Sequence, residues 1–165
     1  MNNLDIILED FEKISKACED LDGKTAHIGI IGGGEAAVIA HAHEYGATIR
    51  PKNAKYLAIP QPDGSIRQAS SVTLPERSFI RASFDQDQSK LDEIARKQID
   101  DVVMKGKSAE AAMNAVGAQA AQLVQNFIDN NRVTPPSNFD YKTQHTTLYE
   151  TGTHIRDRIS YEVEG

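Results

Sequence analysis

Three short runs between residues 47 and 75 each stop at a proline: Thr48-Ile49-Arg50 at Pro51, Tyr56 to Ile59 at Pro60, and Ser71 to Leu74 at Pro75. Proline has no N–H to donate to a ladder, so strands that end this way belong at a sheet edge or on a projecting ribbon. Leu57 and Ile59 alternate with Tyr56 and Ala58, and Val72 and Leu74 alternate with Ser71 and Thr73. Between them Gln61 to Ser70 is polar and holds the turn signal Pro62-Asp63-Gly64. Two short strands around a polar loop read as one long hairpin over 56–75, standing at an edge or projecting as an arm.

The rest of the chain is mostly helical in period. Leu4, Ile7, Leu8, Phe11, Ile14, Cys18 and Leu21 form one apolar stripe, which predicts a helix over about 4–21 with Cys18 as a small core residue. Asn3 can cap its start, and Asp22-Gly23 stops it. Ala26, Ile28 and Ile30 alternate as a strand that ends at Gly32-Gly33-Gly34. A helical stretch over about 35–44 follows, closed by Tyr45-Gly46. Leu91, Ile94, Ala95, Ile99, Val102 and Val103 mark a helix with Ser89-x-x-Asp92 as its capping box and Gly106 as its stop. Ser108 caps the next, whose stripe runs Ala109, Ala112, Met113, Val116, Ala120, Val124, Phe127 and Ile128. Pro135-Pro136 opens a polar loop (130–147), and Ile159, Tyr161 and Val163 alternate as a closing strand. The expected fold is α+β, one domain over 1–165. A small, mostly antiparallel sheet with an extended β-hairpin packs against long amphipathic helices.

Charge narrows the function classes. The net charge of −6 argues against general nucleic-acid coating. It is unevenly spread: the first 22 residues are dominated by Asp5, Glu9, Asp10, Glu12, Glu19, Asp20 and Asp22. The stretch 50–81 holds Arg50, Lys52, Lys55, Arg67, Arg77 and Arg81 against Asp63 and Glu76. That basic stretch reads either as a solvated hairpin or as a patch that meets an acidic partner, including another copy of the chain. No apolar run reaches the roughly 20 residues of a membrane span, and the acidic start is unlike a leader peptide. Folding in a cytoplasm is expected. A single cysteine excludes an intrachain disulfide and a thiolate metal cluster.

The motifs that invite chemistry are weak. Gly32-x-Gly34-x-x-Ala37 follows a strand and precedes a helix, as in a dinucleotide-binding turn. Glu35, however, puts negative charge where phosphates would sit. Arg50-Pro51 stands where the ribose-binding acid is needed, and further βαβ units are lacking. A small nucleotide-binding enzyme built on Gly32–Gly34 is therefore the lesser reading, and a flexible glycine hinge the better one. His41-x-His43-Glu44 on a helix points its two imidazoles about 200° apart, which is wrong for a shared ion. No nucleophile elbow, P-loop or base-stacking platform is present. We expect no catalytic residue, cofactor or metal.

Three ordered segments resemble the tail-completion or neck proteins of long-tailed bacteriophages, which act where tail meets head. The first is Ala40-His-Ala-His43-Glu44-Tyr45-Gly46. The second is Val72-Thr-Leu-Pro75-Glu-Arg77-Ser-Phe79-Ile-Arg81, followed by a long helix. The third is Leu148-Tyr-Glu-Thr151-Gly152 with Ile159-Ser-Tyr-Glu-Val163. Leu57-Ala-Ile-Pro60 fits longer members, and the likeness spans roughly 35–164. Ser78 departs from it, since many members carry a second proline there. The resemblance implies a non-enzymatic virion protein, a ring homo-oligomer with sixfold symmetry. It would touch the tail tube or tail terminator on one side and the head connector on the other, with viral DNA only passing through the channel. A terminator or tube subunit of the same virion is the neighbouring possibility. Glu44, Tyr45, Arg77, Phe79 and Arg81 become candidate interface residues, and Gly46, Pro75, Thr151 and Gly152 structural turns. The alternative for the second segment is that Phe79 is core and the arginines pair with Glu44 or Asp85 of the same subunit.

Overall fold

The computed structural model describes residues 3–61, 63–130, 132–133 and 155–165. In chain order these form α1 (Asn3–Leu21), β1 (Thr25–Ile30), α2 (Gly34–Tyr45), β2 (Ala47–Ile49), β3 (Leu57–Pro60), β4 (Ile66–Ala69) and β5 (Val72–Leu74). There follow α3 (Ile80–Gln86), α4 (Gln88–Lys105), α5 (Ala109–Asp129), α6 (Ile155–Arg158) and β6 (Ile159–Glu164). The fold is α+β, with antiparallel sheets of two strands each. The side chain of Asn3, the Pro135-Pro136 loop, Thr151 and Gly152 lie outside the described residues.

The core is built on α5. Its buried positions include Ala112, Gly117, Ala120, Ala121, Val124, Phe127 and Ile128, and Ser108 caps it as expected, accepting from the Ala111 N–H at 3.2 Å. The small residues let the β1–β6 ribbon approach closely. That ribbon pairs Thr25 with Glu164 through Ile30 with Ile159, joining the two ends of the described chain. The Tyr161 ring packs against Gly117, where an added Cβ would stand 2.3 Å from Cδ2. Phe79, Val124, Phe127, Ile128, Ile155 and Ile159 form the centre of the buried cluster, with Ile28, Ile30, Ile80 and Phe84 packed around it. Burying side chains of this size is worth about 1.5–3 kcal/mol each.

Four local expectations need correcting. Cys18 is exposed, because α1 turns its apolar stripe outward. Every residue from Leu4 to Ile14 is exposed; the helix touches α4 and α5, and its half-buried positions, Ser15, Ala17 and Leu21, all lie in its later half. The long hairpin is nested differently from the reading: β2 pairs with β5 (Ala47 with Leu74, Ile49 with Val72) and β3 pairs with β4 (Leu57 with Ala69, Pro60 with Ile66). The polar loop thus contains a strand, and the turn shrinks to Gln61–Ser65, held by a Gln61 N–H to Ser65 carbonyl bond of 2.8 Å. Ser89 is not a cap, because α4 begins at Gln88 after Asp87. On α4, Gln98 is buried while Ile99 is 49% exposed; the ammonium of Lys107 reaches the Gln98 amide oxygen and makes that burial tolerable. Gly106 ends α4 in the left-handed conformation, φ 68°.

Candidate functional site

Of the residues singled out from the sequence, Glu44, Tyr45, Gly46, Pro75, Arg77, Phe79 and Arg81 fall at one place, the joint between the end of α2 and the start of α3. Gly46 ends α2 at φ 72°, and a Cβ there would come within 3.0 Å of the Glu76 nitrogen and 3.1 Å of the Leu74 carbonyl. Only glycine fits. The tight exit lets β2 run straight into its pairing with β5, and Pro75 then leads back to α2. The Arg77 N–H donates to the His43 carbonyl at 2.7 Å.

Glu44 lies at the centre of this joint and is only 5% exposed. Its carboxylate accepts from the Ser78 hydroxyl at 2.7 Å, the Phe79 N–H at 2.9 Å, the Ile80 N–H at 3.1 Å and the Arg81 N–H at 3.0 Å. The Arg81 Nε adds a fifth bond at 3.1 Å. The first N–H groups of any helix lack partners inside it. Here a carboxylate from another element satisfies those of α3, with charge of the favourable sign. Ser78 completes the cap by accepting from the Ala82 N–H at 3.1 Å, a role no proline could fill. Burial pushes the Glu44 carboxyl up, but the bonds from Ser78 and the backbone of Arg81, Ile80 and Phe79 outweigh it and hold the group below its ordinary value. Glu44 is therefore ionised at neutral pH, with both oxygens engaged.

Arg81 clamps the joint from outside. Its guanidinium donates to the Glu44 carbonyl and to Glu76, each at 2.7 Å, and lies 4.6 Å from the centroid of the Tyr45 ring. Phe79 is fully buried in the core. Of the candidate interface residues, Glu44 and Phe79 thus sit inside the subunit, while Tyr45, 55% exposed, faces out and Arg81 keeps about half its side chain in water (48%). His41 and His43 lie on different sides of α2: His41 is exposed and rests on Tyr45, ring centroids 4.7 Å apart, and His43 is buried. Burial, then the charge of Arg77, lowers the His43 pKa from its usual 6.5.

A second buried carboxylate, Asp87, escaped the sequence reading. It accepts from Lys90 at 2.9 Å and Arg132 at 2.7 Å, and Arg132 also covers the Phe127 ring at 4.6 Å. The signal was faint, since nothing local links residue 87 to residue 132. At the triple glycine, β1 leads into α2 through Gly32, Gly33 and Gly34, all at positive φ. Its ladder partner is the antiparallel β6, and Glu35 occupies the first turn of α2. That is not the parallel βαβ frame a dinucleotide turn needs. Among the described residues no three His, Cys, Asp or Glu side chains converge as metal ligands, and no helix is long and apolar enough to cross a membrane. No family model, curated protein or solved structure matches the chain.

Proposed function

We propose that this chain is a structural subunit of a tailed-phage virion, joining head to tail as part of a ring and working by contact with sister copies and neighbouring virion proteins. One observation carries the reading beyond the sequence resemblance. The first two family-like segments, distant in the chain, form a single bonded unit through Glu44, so their residues are there to set one local geometry. The joint holds Tyr45 and the outer side of Arg81 in fixed positions at the surface, an aromatic beside a guanidinium, a pairing favoured at interface centres. The charge of the chain suits a channel wall that DNA slides past without sticking. Tail tube or terminator and head connector are the proposed neighbours.

In a phage that encodes this chain, deleting its gene should leave filled heads and full-length tails that do not join, visible by electron microscopy. Normal infectious particles from the deletion would refute the reading.

A further inference from the structure

Two exposed surfaces of this chain complement each other, and their elements do not pack together within one copy. The first is α1. Leu4, Ile7, Leu8, Phe11 and Ile14 are 62%, 62%, 52%, 69% and 41% exposed. Residues 4, 7, 11, 14 and 18 repeat at alternating steps of three and four, the seam of a helix that packs lengthwise on an elongated partner. A continuous apolar stripe of this length in water marks a contact surface. Its borders are acidic: Asp5, Glu9, Asp10, Glu12, Glu19 and Asp20, against Lys13 and Lys16.

The second surface is the outer face of the β3–β4 ribbon. The register puts Ala58 opposite Gln68 and Pro60 opposite Ile66, on the face away from Leu57 and Ile59. All four are exposed, Ile66 by 66%, and Tyr56 at the ribbon's base by 43%. At the ribbon's base the Lys55 ammonium lies 5.3 Å from the centroid of the Tyr56 ring, and Arg50 and Lys52, also exposed, precede it in the chain, so the cations gather there; Arg67 opposes Ile59 on the other face. Two copies of α1 side by side would set acid against acid; α1 on the ribbon sets acid against base around an apolar centre.

We infer that α1 of one copy lies along the outer face of the β3–β4 ribbon of the next. The two surfaces belong to different elements of the same chain, so the contact is head-to-tail and repeats from copy to copy, closing a ring or extending a filament according to its rotation. It would supply the side-to-side contact that the ring reading requires. It is read on the purified chain, however, so either proposal can fail without the other.

Sedimentation velocity on the full chain tests it. The wild type should self-associate with rising concentration. Phe11→Asp and Ile66→Asp should each weaken association about a hundredfold, with unchanged circular dichroism, because truncating a central apolar contact commonly has an effect of that order. Mixed in equal amounts, the two variants should form a one-to-one dimer that grows no further, since each keeps one intact surface. Should Ile66→Asp disturb the ribbon, Lys52→Glu with Lys55→Glu provides a second ribbon variant, expected to weaken association about tenfold. A monomeric wild type at its highest soluble concentration, undiminished association of both ribbon variants, or a mixture that stays monomeric would overturn the inference.

Discussion

The joint around Glu44 and the face of α1 handle their chemistry in opposite ways. At the joint a charged group is taken out of water and given five hydrogen bonds from its own subunit. On α1 a row of large apolar side chains is left in water, with nothing among the described residues laid over it. Both depart from what is cheap for a folded monomer, since buried charges cost free energy unless fully bonded and exposed apolar stripes forgo hydrophobic gain. The first departure is repaid inside the subunit and fixes the exit from α2 and the start of α3. The second is not repaid there. Contact with another molecule is the simplest way to recover it.

That contrast can be broken first at its strongest point. Glu44→Ala removes the acceptor for α3's first N–H groups and leaves them and Arg81 to rearrange; we expect a loss of about 3–5 kcal/mol, read as a fall in thermal midpoint of about 10 °C. A fall of a degree or two would mean the joint is incidental. Next, Gly117→Ala forces a methyl against the Tyr161 ring, at 2.3 Å from Cδ2 before relaxation; a cost of about 1–3 kcal/mol is expected by chemical denaturation. An unchanged midpoint would show that the β1–β6 ribbon is free to lift from α5.

Acid should act on the joint. The folded-state pKa of Glu44 lies below its ordinary value of 4.5, so the unfolded chain binds more protons in that window. The stability this group contributes is present above 4.5 and is lost as pH falls through the folded value. The His43 value is also lowered, from 6.5, so folding keeps this imidazole neutral and loses stability as pH falls below 6.5, levelling off below the folded pKa. Both trends run the same way, and a thermal midpoint scanned from pH 7 to 3 should fall in two stages. His43→Gln should remove the upper stage and leave the lower. The smallest effect belongs to α1: Phe11→Asp should change monomer stability by less than about 0.5 kcal/mol while altering association. A large loss of monomer stability would show that Phe11 is covered within its own chain.

What could be read from the sequence follows the range of the forces involved. Helix α5 was legible in full because its signals are local: a Ser108 cap and an apolar period of 3.6. The β1 and β6 strands and the Gly46 exit were likewise visible from alternation and from a glycine at a helix end. The strand pairing of the arm was not, because Ile66-Arg-Gln-Ala69 carries one large apolar residue and reads as loop until a partner is present. Helix α3 was missed for a similar reason, since much of its cap comes from Glu44, far back in the chain. Cys18 shows the remaining limit. Periodicity identified the apolar side of α1 correctly, but a stripe does not say whether its own subunit or another covers it. The candidate residues were brought together as a group, yet the burial that places Glu44 and Phe79 inside and Tyr45 outside required coordinates.

Hydrogen–deuterium exchange on the full chain, at low and at high protein concentration, tests the central contrast most directly. The account predicts that amides of α3 and the end of α2 are protected equally at both. Those of α1 and of the β3–β4 ribbon should gain protection together as concentration rises. If α1 is already protected in dilute solution, or stays as fast-exchanging at the highest concentration as at the lowest, the idea that its apolar face waits for a sister copy is wrong.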